Sequence, residues 1–167
     1  MHTADQDPVA IALAVLDRLG IAYTRYDHPP VFTVDEALLH WRDIDAAHCK
    51  NLFLRNKKGN RHYLVVAEHN RAVNLQRVAE MVGDDRLSFG SEDRLMRYLG
   101  LTPGSVSPLG LINDTAKQVR VVVDAGLREH ARVGFHPNVN TATIVMATAD
   151  LERFLDWSGQ SVQWVSL

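Results

Sequence analysis

Three places in the chain set reactive or conformationally free residues beside one another. Lys50 and Asn51 put a cation and an amide where an apolar, β-rich run begins. Gly104-Ser105-Val106-Ser107-Pro108 falls in Thr102 to Gly110, a stretch with two prolines and two glycines in nine residues that reads as a loop long enough to carry function. His136-Pro137-Asn138-Val139-Asn140 separates two further β-rich runs. A lysine there suits a phosphate, a glycine loop presents backbone amides to a developing oxyanion, and a histidine can trade protons. Taken one at a time, the plain readings weigh more: Lys50 as a solvated charge, Asn51 as a turn partner, His136 as a polar loop residue, the glycines for backbone shape. Cys49 has the same ambiguity. Its neighbour Lys50 would favour a thiolate, yet a lone cysteine is more often a small buried apolar residue.

Several chemistries are excluded. The sequence has no nucleophile elbow, P-loop, dinucleotide fingerprint or helical His-Glu pair for zinc. A single cysteine rules out an intramolecular disulfide and a thiolate-rich zinc site, and fits a reducing compartment. The eight histidines, at positions 2, 28, 40, 48, 62, 69, 130 and 136, show no ligand spacing on any clear element, so no metal site is expected. The formal net charge of −2 argues against a nucleic-acid partner when taken as a total. Its distribution argues the other way: residues 50–77 carry seven Lys or Arg against Glu68 alone, and the flanking segments are acidic.

The elements that must position these residues follow from local signals. Pro8 opens an almost wholly apolar helix, read as buried, that Gly20 stops. A short strand covers Tyr23 to Tyr26, and Thr33-Val34-Asp35-Glu36 is a capping box that starts a second helix. Asn51 to Arg55 and Arg61 to Ala67 form a hairpin around Asn56-Lys57-Lys58-Gly59-Asn60, with Gly59 at positive φ. Asn74 and Ser91 cap two helices that end at Gly83 and Gly100. Strands are expected at Val119 to Val123, Ala131 to Phe135, Ala142 to Ala147 and Gln163 to Val165, and a helix capped by Thr148 or Asp150. With 46% hydrophobic and 23% charged residues and no internal linker, residues 1–167 read as one α/β domain with a mixed, mostly antiparallel sheet flanked by helices. The apolar run Val9 to Leu16 is far short of the ~20 residues of a membrane span. Acids stand where a signal peptide has basic residues, so a cytoplasmic protein is expected.

Together the motifs are more specific than apart. Tyr26-Asp27-His28-Pro29-Pro30-Val31-Phe32-Thr33, Lys50-Asn51-Leu52-Phe53-Leu54-Arg55-Asn56-Lys57-Lys58-Gly59, Leu99 to Gly110 and Gly134-Phe135-His136-Pro137-Asn138-Val139-Asn140-Thr141-Ala142-Thr143 resemble the YbaK/ProX family of aminoacyl-tRNA deacylases. These are free-standing relatives of the editing domain of bacterial prolyl-tRNA synthetases. The Lys50 and Gly134 segments look like the ProX branch, which removes alanine mischarged on tRNA(Pro); the Gly104 loop and Lys50 are shared with the cysteinyl YbaK branch.

The resemblance implies substrate-assisted hydrolysis of the aminoacyl ester without metal or organic cofactor, with tRNA(Pro) as partner and prolyl-tRNA synthetase as a transient one. It implies Lys50, Gly104 and His136 as catalytic residues. Asn51, His28, Pro30, Phe32, Ser105 and Asn138 are implied around the substrate, and Arg55, Lys57 and Lys58 on the tRNA. A cysteinyl-tRNA(Pro) deacylase and a non-catalytic tRNA or amino-acid binding module are the competing readings.

Overall fold

The computed structural model of the chain describes residues 7–167. Among them the elements run α1 (Pro8–Arg18), β1 (Tyr23–Asp27), α2 (Val34–Trp41), β2 (Ala47–Arg55), β3 (His62–Glu68), α3 (Leu75–Val82), β4 (Ser88–Phe89), α4 (Glu92–Leu99), β5 (Val119–Asp124), β6 (Arg132–Phe135), β7 (Ala142–Ala147), α5 (Thr148–Ser158) and β8 (Val162–Val165). Short 3₁₀ helices cover Pro108–Asn113 and Ala125–Glu129. Among the described residues no helix is long and apolar enough to cross a membrane.

The helix ends obey their capping residues, with two departures. Asp7, Thr33, Asn74 and Ser91 each accept a backbone amide two or three residues on, and Gly83 and Gly100 close α3 and α4 in the left-handed conformation. The Glu36 carboxylate reaches back to the Phe32 amide at 3.4 Å, not to that of Thr33, so the capping box is shifted by one residue. The expected cap of α5 is a correction. Ala147 occupies that position without a side-chain bond, because the Thr148 hydroxyl donates to the His130 carbonyl at 2.6 Å and Asp150 lies inside the first turn. Nor is α1 buried as its composition suggests. It turns Val9, Ala12, Val15 and Leu16 inward and leaves Ile11 39% exposed, because a surface helix needs only one apolar stripe.

The strands form one mixed sheet in the order β1-β7-β6-β2-β3-β5-β8, with β4 added to β2. Four junctions are antiparallel (β1·β7, β6·β7, β2·β3, β2·β4) and three parallel (β2·β6, β3·β5, β5·β8). One face packs Leu64, Val66, Val121 and Phe135 against α1, α4 and α5 through Leu16, Leu99 and Phe154. The other packs Leu54, Tyr63, Val65 and Val122 under α3 through Val78 and Ala79. Each large side chain so buried contributes about 1.5–3 kcal/mol.

Strand β2 begins at Ala47, four residues before the apolar run that announces it, so Lys50 and Asn51 stand inside the strand and not at its mouth. The polar start is held by pairing on both sides: Cys49 and Lys50 lie opposite Glu68 and Ala67 of β3, and Ala47 and His48 lie beside Val133 and Gly134 of β6.

Candidate functional site

The site is a break in the sheet. Along one edge β2 pairs with β6 at Ala47 and His48, and with β4 at Leu54 and Arg55; between these pairings no strand lies beside it among the described residues. Peptide groups alternate sides along a strand. His48 faces β3, since its carbonyl accepts from His69 N at 2.8 Å; Phe53 faces the other way, accepting from Gly90 N at 2.9 Å. Asn51 shares the parity of Phe53, so its main-chain N–H and C=O both point into the break.

A cavity of about 220 Å³ opens there. Lys50, Asn51, Gly104 and His136 line it, and Val31, Phe32, Ala37, Trp41 and Val106 form its apolar wall. Four segments distant in sequence therefore meet. The loop after β6 carries His136 and clamps the Val31 segment: the Val31 amide donates to the Asn140 carbonyl at 3.3 Å, and the Asn140 side chain returns a bond to the Val31 carbonyl at 3.2 Å.

Besides Thr33, whose hydroxyl accepts from the Glu36 amide, the polar side chains of the cavity are one cation and two acceptors. Lys50 has no carboxylate within ion-pair distance among the described residues. The Asn51 Oδ1 is buried without a hydrogen-bond partner. His136 donates Nδ1–H to the Ala142 carbonyl at 2.8 Å, which fixes the tautomer and leaves Nε2 as a lone pair. Burial holds the His136 pKa below its ordinary value, against the raising influence of that bond, and the neighbouring His28 adds to the lowering. The ring is neutral at pH 7.

Gly104 is the third residue of a turn in which Ser105 N–H donates to the Thr102 carbonyl at 3.1 Å, with Pro103 and Gly104 in the central positions. Its φ of +86° is the reason for glycine. A Cβ at this position would meet Phe32 at 3.7 Å and Asn140 at 3.8 Å, ordinary contacts, so packing within the protein does not itself demand glycine. The Ser105 amide is consumed by the turn and its side chain is buried, so of the expected loop donors only Gly104 reaches the cavity.

Behind the apolar wall lies a relay of hydrogen bonds, buried at Trp41 and reaching the surface at His28. Trp41 Nε1–H donates to Thr143 Oγ1 at 3.2 Å. That hydroxyl donates to His28 Nε2 at 2.9 Å, and His28 Nδ1–H donates to the Pro29 carbonyl at 2.9 Å. His28 thus orients the Trp41 indole through Thr143. The other face of Trp41 stacks on His48, ring centroids 4.4 Å apart, and burial drives the pKa of His48 down to about 4. Histidines scattered in sequence, at 28, 48, 69 and 136, so gather around one tryptophan. Among the described residues no group of three His, Cys, Asp or Glu side chains is arranged to hold a metal ion.

The remaining expected residues divide. Phe32 lines the cavity and is 73% exposed. Pro30 is exposed and does not line it, and Asn138 takes a left-handed conformation (φ 65°) facing a separate cavity with Pro8, Gly100 and Asn113. Cys49 lines the cavity as a buried thiol whose pKa burial pushes up to about 12, so it is no activated nucleophile. The β2–β3 hairpin forms as expected: Gly59 (φ 72°) donates to the Asn56 carbonyl, and Asn56 Oδ1 takes the amides of Asn60 and Arg61.

Arg55 and Lys57 line a second cavity, about 270 Å³, with Arg86 and Ser88, and Lys58 is exposed on the same turn. Arg86, Trp41 and Thr143 were not legible as site residues, because each is brought in by a pairing or a buried bond between distant segments.

Comparison with known proteins identifies the family. The model of the aminoacyl-tRNA editing domain family matches residues 28–154. The prolyl-tRNA editing protein ProX of Acetoanaerobium sticklandii is 42% identical over 98% of this chain and 99% of its own. A prolyl-tRNA synthetase associated domain-containing protein 1 from Danio rerio is 38% identical over 84% of this chain and 77% of its own. A crystal structure of a candidate trans-editing enzyme for prolyl-tRNA synthetase superposes with a TM-score of 0.73 at 17% identity, covering 96% of this chain and 98% of that one, which is a likeness of fold. The chain belongs to the aminoacyl-tRNA editing domain family, on its ProX side, and is an aminoacyl-tRNA deacylase.

Proposed function

We propose that the chain removes alanine mischarged on tRNA(Pro), acting in trans by water attack on the aminoacyl ester. The observation that carries this reading is the content of the break beside β2: a small, largely apolar cavity with one cation, the unpartnered Asn51 Oδ1, the lone pair of His136 Nε2 and no lining carboxylate among the described residues. An aminoacyl ester has the complementary parts. Its α-ammonium and ribose hydroxyls offer donors to Asn51 Oδ1 and His136 Nε2, its small side chain meets Val31, Ala37, Trp41 and Val106, and its anionic backbone suits Lys50.

In hydrolysis the water oxygen bonds to the carbonyl carbon, the carbonyl oxygen becomes an oxyanion, and the ribose oxygen leaves with a proton. The Asn51 amide, directed into the break by strand parity, is suited to that oxyanion, and Gly104 lines the same cavity beside it. A neutral His136 can accept a hydrogen bond from the water or from the vicinal hydroxyl, which holds the water in line. No covalent intermediate is invoked, because Cys49 is protonated and no serine–histidine pair faces the cavity among the described residues. Arg55, Lys57, Lys58 and Arg86 would hold acceptor-strand phosphates. Prolyl-tRNA synthetase, whose pocket for proline rejects a smaller residue only weakly, is the source of the substrate.

The test is a deacylation panel of Ala-, Cys-, Ser- and Pro-tRNA(Pro). Alanine is released fastest and proline is spared. Faster release of cysteine assigns the chain to the cysteinyl reaction, and no release from any substrate leaves a binding module.

A further inference from the structure

A third cavity, of about 240 Å³, adjoins the first and shares Asn51, Gly104 and Val106 with it. Its own wall is Phe89, Gly90, Glu92 and Pro103. Phe89 is 62% exposed, yet it is not a mobile side chain on a loop: it sits in β4, opposite Leu54 of β2. The next residue is pinned as well. A Cβ on Gly90 would stand 2.5 Å from the Phe53 ring, so the backbone beside Phe89 lies flat on the floor of the groove. An aromatic face held open to solvent by a strand, beside the site of reaction, has no role in the core and none in the chemistry of the ester.

Resting on the proposed deacylation, we propose that this groove is the subsite for the terminal nucleobase of the tRNA, with Phe89 as its stacking platform. The covalent structure of the substrate fixes the distance. The base is separated from the ester only by one ribose, so it must lie in a space continuous with the one that holds the aminoacyl group, and the groove sharing Asn51 and Gly104 is such a space. Stacking needs an open aromatic face, which Phe89 gives, and Glu92 adds a carboxylate acceptor suited to the exocyclic amino group of adenine.

The phosphates then have a place. Strand β2 rises about 3.3 Å per residue, so Arg55 lies about 13 Å beyond Asn51, roughly two nucleotides of single strand back from the ester. There Arg55, Lys57, Arg86 and Ser88 line the cationic cavity, and Ser88 is the residue before Phe89. Ester, base and phosphates thus follow one another along β2.

The experiment compares three alanine esters, alanyl-tRNA(Pro), 3′-O-alanyladenosine and alanine methyl ester, with the wild type, Phe89→Ala and Phe89→Tyr. Phe89→Ala lowers kcat/KM on the tRNA and on alanyladenosine on the order of tenfold, through KM. It leaves the base-free methyl ester unchanged, and Phe89→Tyr restores the loss. Equal loss on all three esters, or no loss on either nucleoside ester, overturns the proposal while the deacylase reading stands.

A reaction-free arm separates the two readings. AMP titrated into Phe89→Trp quenches the added tryptophan to saturation, relative to the wild type titrated in parallel. Absence of quenching overturns the base subsite whatever the kinetics. A wild type inert on all three esters that nonetheless shows the quenching contradicts the deacylase reading and keeps the nucleobase site.

Discussion

Replacing Thr143 by valine tests whether the relay behind the cavity holds its wall in place. Thr143 is fully buried, and its hydroxyl is the shared partner of Trp41 Nε1 at 3.2 Å and His28 Nε2 at 2.9 Å. Valine keeps the shape and removes both bonds. A buried donor left unsatisfied costs about 1–3 kcal/mol, and the indole of Trp41, 7% exposed, has little access to water. His28 is half-buried and can turn to solvent, so its share is smaller. A loss of about 2 kcal/mol corresponds, in a chain of this size, to a fall in Tm of about 4–8 °C.

Because Trp41 is part of the cavity wall, kcat/KM on alanyl-tRNA(Pro) should fall with it, and Thr143→Ser, which keeps the hydroxyl and loses one methyl, should retain most of the activity. Thermal unfolding and single-turnover deacylation read the two effects. A Thr143→Val protein as stable and as active as the wild type, or a serine variant as impaired as the valine one, would refute the reasoning.

Three further outcomes are expected. Gly104→Ala meets no clash but must hold φ near +86°, so it should cost about 1–2 kcal/mol in urea unfolding and slow deacylation, whereas a neutral result would show the turn to be adaptable. His62 stacks on Tyr98 and on Phe53 with Nε2 accepting from Arg94 at 2.9 Å, and burial, then the charges of Arg94, Arg55 and Arg97, lower its pKa to about 4. Its folded pKa lies below the unfolded value of 6.5, so the unfolded chain binds the extra proton: stability is complete above pH 6.5 and falls towards pH 4, by up to about 1.4 kcal/mol per pH unit, and His62→Gln should flatten that slope in urea unfolding. Lys57→Glu with Lys58→Glu should weaken tRNA binding and reduce the slope of log affinity against log salt by roughly 0.7 for each lost single-strand phosphate contact, as measured by filter binding at several salt concentrations.

Local structure was legible wherever one residue dictates one backbone state. Pro8, Thr33, Asn74 and Ser91 start their helices, Gly83 and Gly100 end theirs, and Gly59 makes the hairpin turn. The polar beginning of β2 was not, because Cys49-Lys50-Asn51 has little strand propensity and is held by β3, with β6 pairing just before it. The two-residue strand β4 escaped for the same reason, and with it Phe89 and Arg86.

The site divides along the same line. Lys50, Asn51, Gly104, His136 and Phe32 meet in the cavity because motif wording carries their positions. Asn138 shares the wording but is spent on a left-handed turn and faces elsewhere. The ring of histidines around Trp41 of α2 has no periodic trace in the sequence, since it is assembled from the segment after β1, from β2, from the residue after β3 and from the β6–β7 loop. The charge distribution was informative where the total was not: part of the basic block of residues 50–77 lines the cavity beside the hairpin.

The central claim is that the break beside β2 hydrolyses a small aminoacyl ester and excludes the cognate one. Its most direct measurement is the single-turnover deacylation rate of alanyl-tRNA(Pro) and prolyl-tRNA(Pro) by the wild type and by Lys50→Ala. Rapid loss of alanine, sparing of proline and a strongly slowed Lys50→Ala are predicted. Equal rates on the two substrates, or a Lys50→Ala protein as fast as the wild type, would contradict it.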